Sequence, residues 1–390
     1  MKRVRLLVMA LVALSMILAA CAPAATPEPT AVPTMAPEPT QVPPTVAPTA
    51  TKPPAPTATV PPTATVPPEP TATATIAATP TTPPAACAPV ANPPTVNAGD
   101  LGSPDKPIVI TFVPSGDTGK ITKAGNEIAD CLSKMTGLSF EIEVGTSFGA
   151  SIEAMGANKA QVGFLNTFSV LLAEVKYQIV PALAVLRKYN TNAVDPDKAM
   201  VGLMEPFYKG QFIANVASGI KTFDDLKGKT FCFVDPNSTS GYIIPNIILK
   251  SKGINPETDF KAVQNAGSHN NVAIAVYKGD CDAGVTYIDV LTDAAADLKS
   301  KYPDITDKVK AFADTDRIPS DGVQYVKTLD PDIQKAITAG LLSMAKDKGG
   351  NAVLRGLYTI DGFQEIKPTF YDDFLGVLQA AGVDPASLVK

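Results

Sequence analysis

From Lys106 onward the chain alternates short apolar runs with amphipathic segments, and it does so twice. Pro107 to Val113 reads as a buried strand. Lys120 to Met135 has helical spacing, with Ile121, Ala124, Ile128, Cys131 and Leu132 on one side. Phe140 to Val144 is predicted as a strand, Ala150 to Ala157 as a helix, Val162 to Leu165 as a strand and Asn166 to Val175 as a helix. The pattern then restarts. Gln211 to Val216 and Thr230 to Val234 read as strands around a short helix opening at Thr222, Ile243 to Lys252 and Asn271 to Lys278 as helices, and Ala283 to Tyr287 as a strand. Strand–helix alternation is the mark of an α/β fold with mostly parallel sheets. Two such units with a late return predict two lobes around a cleft, each a mostly parallel sheet flanked by helices. The expected boundaries are 105–207 for the first part of lobe 1, 208–317 for lobe 2, and 318–390 for a return to lobe 1 plus C-terminal helices. Re-entry is expected near Asp321 to Thr328, and no internal repeat is visible.

The chain before this region cannot build a core. Residues 22–99 are mostly Pro, Thr, Ala and Val, with only Glu28, Glu38, Lys52 and Glu69 charged. Such a segment favours extended, polyproline-like structure, so 21–104 is expected to be a disordered tether. Ahead of it, Met1-Lys2-Arg3-Val4-Arg5 precedes an apolar run from Leu6 to Ala20, too short for a comfortable bilayer span and shaped like a secretory signal peptide. Leu18-Ala19-Ala20-Cys21 resembles the lipobox of bacterial lipoproteins. That resemblance implies cleavage after residue 20, a diacylglycerol on Cys21, and an extracytoplasmic protein held at the outer face of the cell membrane.

The formal net charge is −5; the leader contributes +3 and the tether −2, leaving −6 for the folded part. An acidic surface argues against nucleic-acid binding and requires that any captured anion be held by local donors. There is one histidine, and no cysteine spacing resembles a zinc site, so neither metal nor cofactor is expected. Outside the cytosol the remaining cysteines can be oxidised. Cys232 and Cys281 flank the expected binding face of lobe 2 and are candidates for a disulfide, whereas Cys87 lies in the tether without an obvious partner.

The most informative stretch is Asp235-Pro236-Asn237-Ser238-Thr239-Ser240-Gly241-Tyr242, after a strand and before a helix. Three hydroxyls beside the free amides of a helix start, with the helix dipole behind them, form an anion cradle that needs no basic side chain. Ser or Thr at a helix start is also an ordinary N-cap. Pro245, early in this helix, is expected to confine its regular part beyond the first turn. A second helix start, Asn265-Ala266-Gly267-Ser268-His269-Asn270, belongs to the same predicted lobe.

Together with Ile318-Pro319-Ser320-Asp321, these segments resemble the phosphonate-binding components of ABC importers, over roughly residues 105 to 372. The resemblance implies a type II periplasmic-binding-protein fold, no enzymatic activity, and a monomer that delivers a phosphonate, phosphite or phosphate to a membrane permease and its ATPase. By it, Ser238, Thr239 and Ser240 clamp the phosphorus oxygens, His269 donates to them, Tyr208 lines the cleft, and Asp289 and Asp321 contact the far end of an aminoalkyl phosphonate. Phe148 stands where the family often has a tyrosine, so a hydroxyl is lost there. Asn166 and Thr167, with Thr146 and Ser147, are candidates to replace it. A carboxylate beside an oxyanion repels it unless an amine or a protonated oxygen intervenes, so the two aspartates should select such a ligand. The competing readings are a binding protein for a sulfonate or thiamine-related compound and a secreted serine hydrolase; the Gly-x-Ser-x-Gly elbow of the latter is missing.

Overall fold

The computed structural model describes residues 85–189, 194 and 199–388. The leader 1–20, Cys21 and the tether up to residue 84 lie outside the described residues. Among the described residues no helix is long and apolar enough to cross a membrane.

The first passage lays down β1 (Ile108–Phe112), α1 (Thr118–Thr136), β2 (Phe140–Val144), α2 (Phe148–Gly156), β3 (Val162–Leu165), α3 (Thr167–Tyr177), β4 (Val180–Lys188) and the short β5 (Met204–Glu205). The chain then leaves through β6 (Phe207–Tyr208) and builds β7 (Gly210–Asn215), β8 (Thr230–Phe233), α4 (Ile244–Ser251), β9 (Ala262–Asn265), α5 (His269–Lys278), β10 (Ala283–Tyr287) and β11 (Val309–Asp314). It returns through β12 (Ile318–Pro319) to β13 (Gly322–Tyr325), α6 (Pro331–Lys346), α7 (Lys348–Tyr358), β14 (Gly362–Glu365) and α8 (Asp372–Ala380). The first sheet has the order β14-β4-β13-β3-β1-β2 with β5 on β4; the second has the order β11-β7-β10-β8-β9. Strands β6 and β12 pair antiparallel, Tyr208 opposite Ile318, and form the crossover between the lobes.

Strand direction follows from where the chain enters. In the second sheet β8, β9, β10 and β11 share a direction and β7 alone opposes them. In the first, β1 to β4 share a direction while β13, β14 and β5 oppose it. Strands β7 and β13 are the first ones laid down after each crossing. Residues at or just past the C-terminal ends of β1, β3, β4 and β10, namely Val113, Asn166, Arg187 and Ile288, line the cleft. A segment arriving from that side must run the other way. The C-terminal ends of parallel strands are where open α/β sheets carry ligands.

Each element has a local cause. Helix α1 starts at Asp117, whose carboxylate accepts from the Lys120 amide at 3.1 Å, and stops at left-handed Gly137. The central strand β3 is buried throughout, whereas the edge strand β2 alternates and turns Glu141 and Glu143 outward, which discourages edge-to-edge pairing. The second lobe packs around phenylalanines: Phe212, Phe223 and Phe312 form one cluster, and Phe231 stacks on Phe260 with centroids 4.9 Å apart.

Two disulfides fasten the molecule. Cys232, on β8, joins Cys281, just before the neighbouring β10, with Cα atoms 5.9 Å apart. Cys87 joins Cys131 on α1. This second bond corrects the expected extent of the tether, because the Val90 amide also donates to the Met135 carbonyl and the Ala86 amide to Asp347. The end of the Pro/Thr/Ala/Val-rich stretch, from residue 85, forms no core of its own and packs on the surface of lobe 1. Each bridge closes a loop of 44 or 49 residues. The chain-entropy estimate for such a loop is about 4 kcal/mol of stabilisation.

Candidate ligand-binding site

The cleft between the two sheets is walled by helix beginnings. Asp117 caps α1, Phe148 opens α2, Asn166 immediately precedes α3, Ser238 caps the turn before α4 and His269 opens α5; all five residues line the cleft. The amides of a first helical turn have no carbonyl of their own helix to bond, and the dipoles add positive potential. Five such ends converging on one space make it suited to an anion, although the folded part is acidic overall.

The hydroxyl run is a special turn. Thr239–Ile243 is one π-helical turn, with the Ile243 amide bonded to the Ser238 carbonyl at 3.0 Å, and the regular helix begins only at Ile244 with Pro245 in its first turn. Ser238 caps it by accepting from the Gly241 amide at 3.2 Å. Gly241 is required there, since a Cβ would fall 2.3 Å from Val234. Ser238 and Ser240 are buried and line the cleft.

Thr239 is placed otherwise than the resemblance implies. Its hydroxyl oxygen accepts from the Phe168 amide and from Asn166 Nδ2, both at 2.9 Å, so it ties lobe 2 to the start of α3 in lobe 1 and does not line the cleft. Of these three successive residues only the outer two line the cleft. Thr167 is likewise withdrawn: its hydroxyl donates to the Pro319 carbonyl in β12 at 2.6 Å, and it is fully buried away from the cleft. It therefore does not replace the hydroxyl missing at Phe148. Asn166 does line the cleft, with Nδ2 also donating to the Asn237 carbonyl and its Oδ1 buried without a partner.

His269 is held as a neutral donor. Its Nδ1 accepts from the Tyr287 amide at 3.0 Å, so the ring proton sits on Nε2. Burial lowers its pKa to about 3, helped by the positive charge of Arg187. Its own amide donates to the Ser115 carbonyl of lobe 1 at 3.0 Å. Tyr208 is buried, with its phenol pushed up chiefly by burial and then by the charge of Asp321, and lowered slightly by the Ser240 and Thr239 hydroxyls.

Arg187, at the end of β4, is the residue sequence reasoning missed. Its Nη2 lies 3.3 Å from Asp321 Oδ2 and 3.4 Å from the Tyr358 carbonyl, and its guanidinium sits 5.2 Å from the Tyr208 ring centre. The cleft thus contains a cation after all, and Asp321 is paired with it. Tyr287, Asn270, Asp293 and Tyr358 also line the space. Asp293 accepts from the Tyr287 hydroxyl, the Ala295 amide and, across the lobes, the Thr359 hydroxyl. Asp289 lines the same wall. At the mouth, Lys120 pairs with Asp297 at 2.9 Å and Lys301 with Asp117 at 3.3 Å, again lobe to lobe. These contacts describe a closed two-lobed clamp. Among the described residues no group of His, Cys, Asp and Glu could hold a metal.

A fold of two α/β lobes joined by a two-stranded crossover, with helix starts facing a shared cleft, defines a type II periplasmic binding protein. The chain belongs to the family of periplasmic phosphonate substrate-binding proteins of ABC transporters, whose model matches residues 110–371. It is 27% identical to the phosphate-import protein PhnD of Mycolicibacterium smegmatis over 193 residues, 48% of this chain and 56% of that protein. The chain thus spans little more than half the length of that curated relative. Its fold is similar to that of a phosphonate-transporter binding component from Pseudomonas aeruginosa, with TM-score 0.61, 18% identity, and 70% of this chain and 86% of the other covered. It is also similar to PhnD1 of Prochlorococcus marinus, solved with methylphosphonate: TM-score 0.58, 17% identity, 70% and 98% covered.

Proposed function

We propose that the protein is the extracytoplasmic substrate-binding component of an ABC importer and captures a small phosphorus oxyanion. The observation that carries this is the convergence of five helix starts on one buried space, with Ser238, Ser240 and the Nε2 proton of His269 as donors. Family membership and the ligands named for the relatives support it. The proposed lobes are 105–207 with 318–390, and 208–317. Ligand binding uses Ser238, Ser240, His269, Tyr208, Phe148, Asn166, Asp289 and Asp321. The protein binds its ligand without turning it over, since His269 spends Nδ1 on a backbone amide and has no free acceptor with which to activate a serine. It works as a monomer, presented to its permease and ATPase from a lipid anchor on Cys21.

Calorimetry at neutral pH with phosphate, phosphite, methylphosphonate, 2-aminoethylphosphonate, sulfate and taurine tests the site. At least one phosphorus compound is expected to bind far more tightly than either sulfur compound. Taurine or sulfate as the best ligand, or heat from none of the six, overturns the proposal. For the anchor, Cys21→Ser should move the protein from the membrane fraction to the medium or periplasm; retention in the membrane refutes it.

A further inference from the structure

A carboxylate in an anion site is tolerated when the ligand brings either an ammonium or a protonated oxygen, and the structure discriminates between the two. We propose that the Arg187–Asp321 pair makes this a site for a phosphorus oxyanion that carries a P–OH and no amine, as do hydrogenphosphate and the monoanions of phosphite and methylphosphonate. Arg187 supplies the cationic donor and Asp321 the acceptor for the acidic proton. The inference rests on the oxyanion reading of the cleft and narrows it.

Four carboxylates line the cleft, and all are engaged within the protein. Asp117 caps α1 and pairs with Lys301. Asp293 accepts from three donors. Asp289 has a contact of its own. Asp321 faces the guanidinium of Arg187. An ammonium brought to Asp321 would meet a carboxylate already neutralised and a cation 3.3 Å behind it, so repulsion offsets attraction there. By contrast, the pair has two buried atoms without a hydrogen-bond partner, Arg187 Nη1 and Asp321 Oδ1. One is a charged donor and the other a charged acceptor. Asn166 Oδ1 and Asn270 Oδ1 are two further buried acceptors without partners, on residues nine-tenths or more buried that line the same space. A P–O⁻ beside a P–OH matches the charged pair: the ionised oxygen takes the Arg187 N–H and the hydroxyl donates to one of these acceptors, Asp321 Oδ1. The Tyr208 ring, 5.2 Å from the guanidinium, holds the fork in place from the hinge side.

The test is calorimetry at pH 7 on the full chain with methylphosphonate, inorganic phosphate and 2-aminoethylphosphonate, using wild type, Arg187→Met and Arg187→Lys. Wild type is expected to bind methylphosphonate or phosphate at least about tenfold more tightly than the amine, as one charge-assisted bond without a rival predicts. Arg187→Met should lose roughly 10- to 100-fold for methylphosphonate. Its affinity for 2-aminoethylphosphonate should fall much less, because bare Asp321 can now pair with the ammonium, so the ranking narrows or inverts. Arg187→Lys keeps the charge without the fork; it should weaken binding and preserve the wild-type order, which serves if the Met variant does not fold. A wild type that prefers the amine, an Arg187→Met protein with undiminished methylphosphonate affinity, or an inverted order in Arg187→Lys overturns the inference while leaving the oxyanion site standing. No binding of any of the three compounds to wild type sinks the oxyanion reading and this inference with it.

Discussion

His269 is the only histidine in the chain, which makes its burial measurable as a pH effect on folding. In the folded protein its pKa is lowered from 6.5 to about 3, first by burial and then by Arg187. The unfolded chain therefore takes up a proton near pH 6.5 that the native state refuses, and stability falls as pH drops below that value. Between pH 8 and pH 5 the loss integrates to about 2 kcal/mol, and it continues toward pH 3. A second group acts in the opposite sense. Glu174 on α3 is raised to about 7 by burial and then by the charge of Asp372, so its contribution is present at low pH and lost as pH rises through 7. The wild-type curve alone can thus look flat. The quantity to measure is the difference between wild type and His269→Gln in urea unfolding at pH 8, 7, 6 and 5. That difference should shift by about 2 kcal/mol against wild type across the range. A constant difference would mean that the imidazole is not held neutral and buried, and the donor role assigned to Nε2 would fall with it.

Ser240→Ala should weaken binding of the best phosphorus ligand by about tenfold, the worth of one charge-assisted bond, with the unfolding midpoint little changed; unaltered affinity removes Ser240 from the site. Thr239→Val should also weaken binding, through closure: two buried donors, the Phe168 amide and Asn166 Nδ2, lose their acceptor at a cost of about 1–3 kcal/mol in the closed state only. Solution scattering with saturating ligand should then show a more open molecule, and a scattering curve identical to wild type refutes the lobe-to-lobe role. Replacing both Cys232 and Cys281 by Ser should cost about 4 kcal/mol in unfolding free energy without changing ligand order, and a loss below about 1 kcal/mol would contradict the loop-entropy estimate.

What was legible in the sequence was local. The strand–helix order, the helix start at Ser238 and the capped start before His269 are each written in a few neighbouring residues, through periodicity and N-cap chemistry. What escaped depends on residues far apart in sequence. The sequence shows Asp321 as a ligand selector but not its pairing, because its partner Arg187 lies 134 positions away. The apolar run Val180 to Leu186 could have been read as a strand ending in an arginine, but nothing local says that β4 sits between β14 and β13, where its end faces the cleft. Cys87 lacked a visible partner for the same reason, since Cys131 is 44 residues on. The run Ser238 to Ser240 marked the site but could not say which hydroxyl turns across to the other lobe.

The two crossings also divide the site by what closure does to it. Tyr208 ends β6, Arg187 is the last residue but one of β4 and Asp321 immediately precedes β13, so these three stand near the crossover, where β6 and β12 are paired. Rotation about that ribbon changes distances least there and most at the far side. The contacts of His269 with Ser115, Lys120 with Asp297 and Asp117 with Lys301 join opposite lobes, as does that of Thr239 with Phe168, whose neighbour Thr167 is bonded to Pro319 of the ribbon. A ligand shifts the open–closed balance only by its differential affinity for the two states. On the proposed reading the hinge-side group keeps its arrangement as the lobes move, and so sets which ion is admitted. On the same reading the helix starts at Ser238 and His269 approach the ion from the other lobe and supply the difference that closes the clamp. Substitutions at Arg187 should therefore change ligand ranking, and substitutions at Thr239 should scale all affinities together, a separation that would not arise if the whole site were assembled on one lobe.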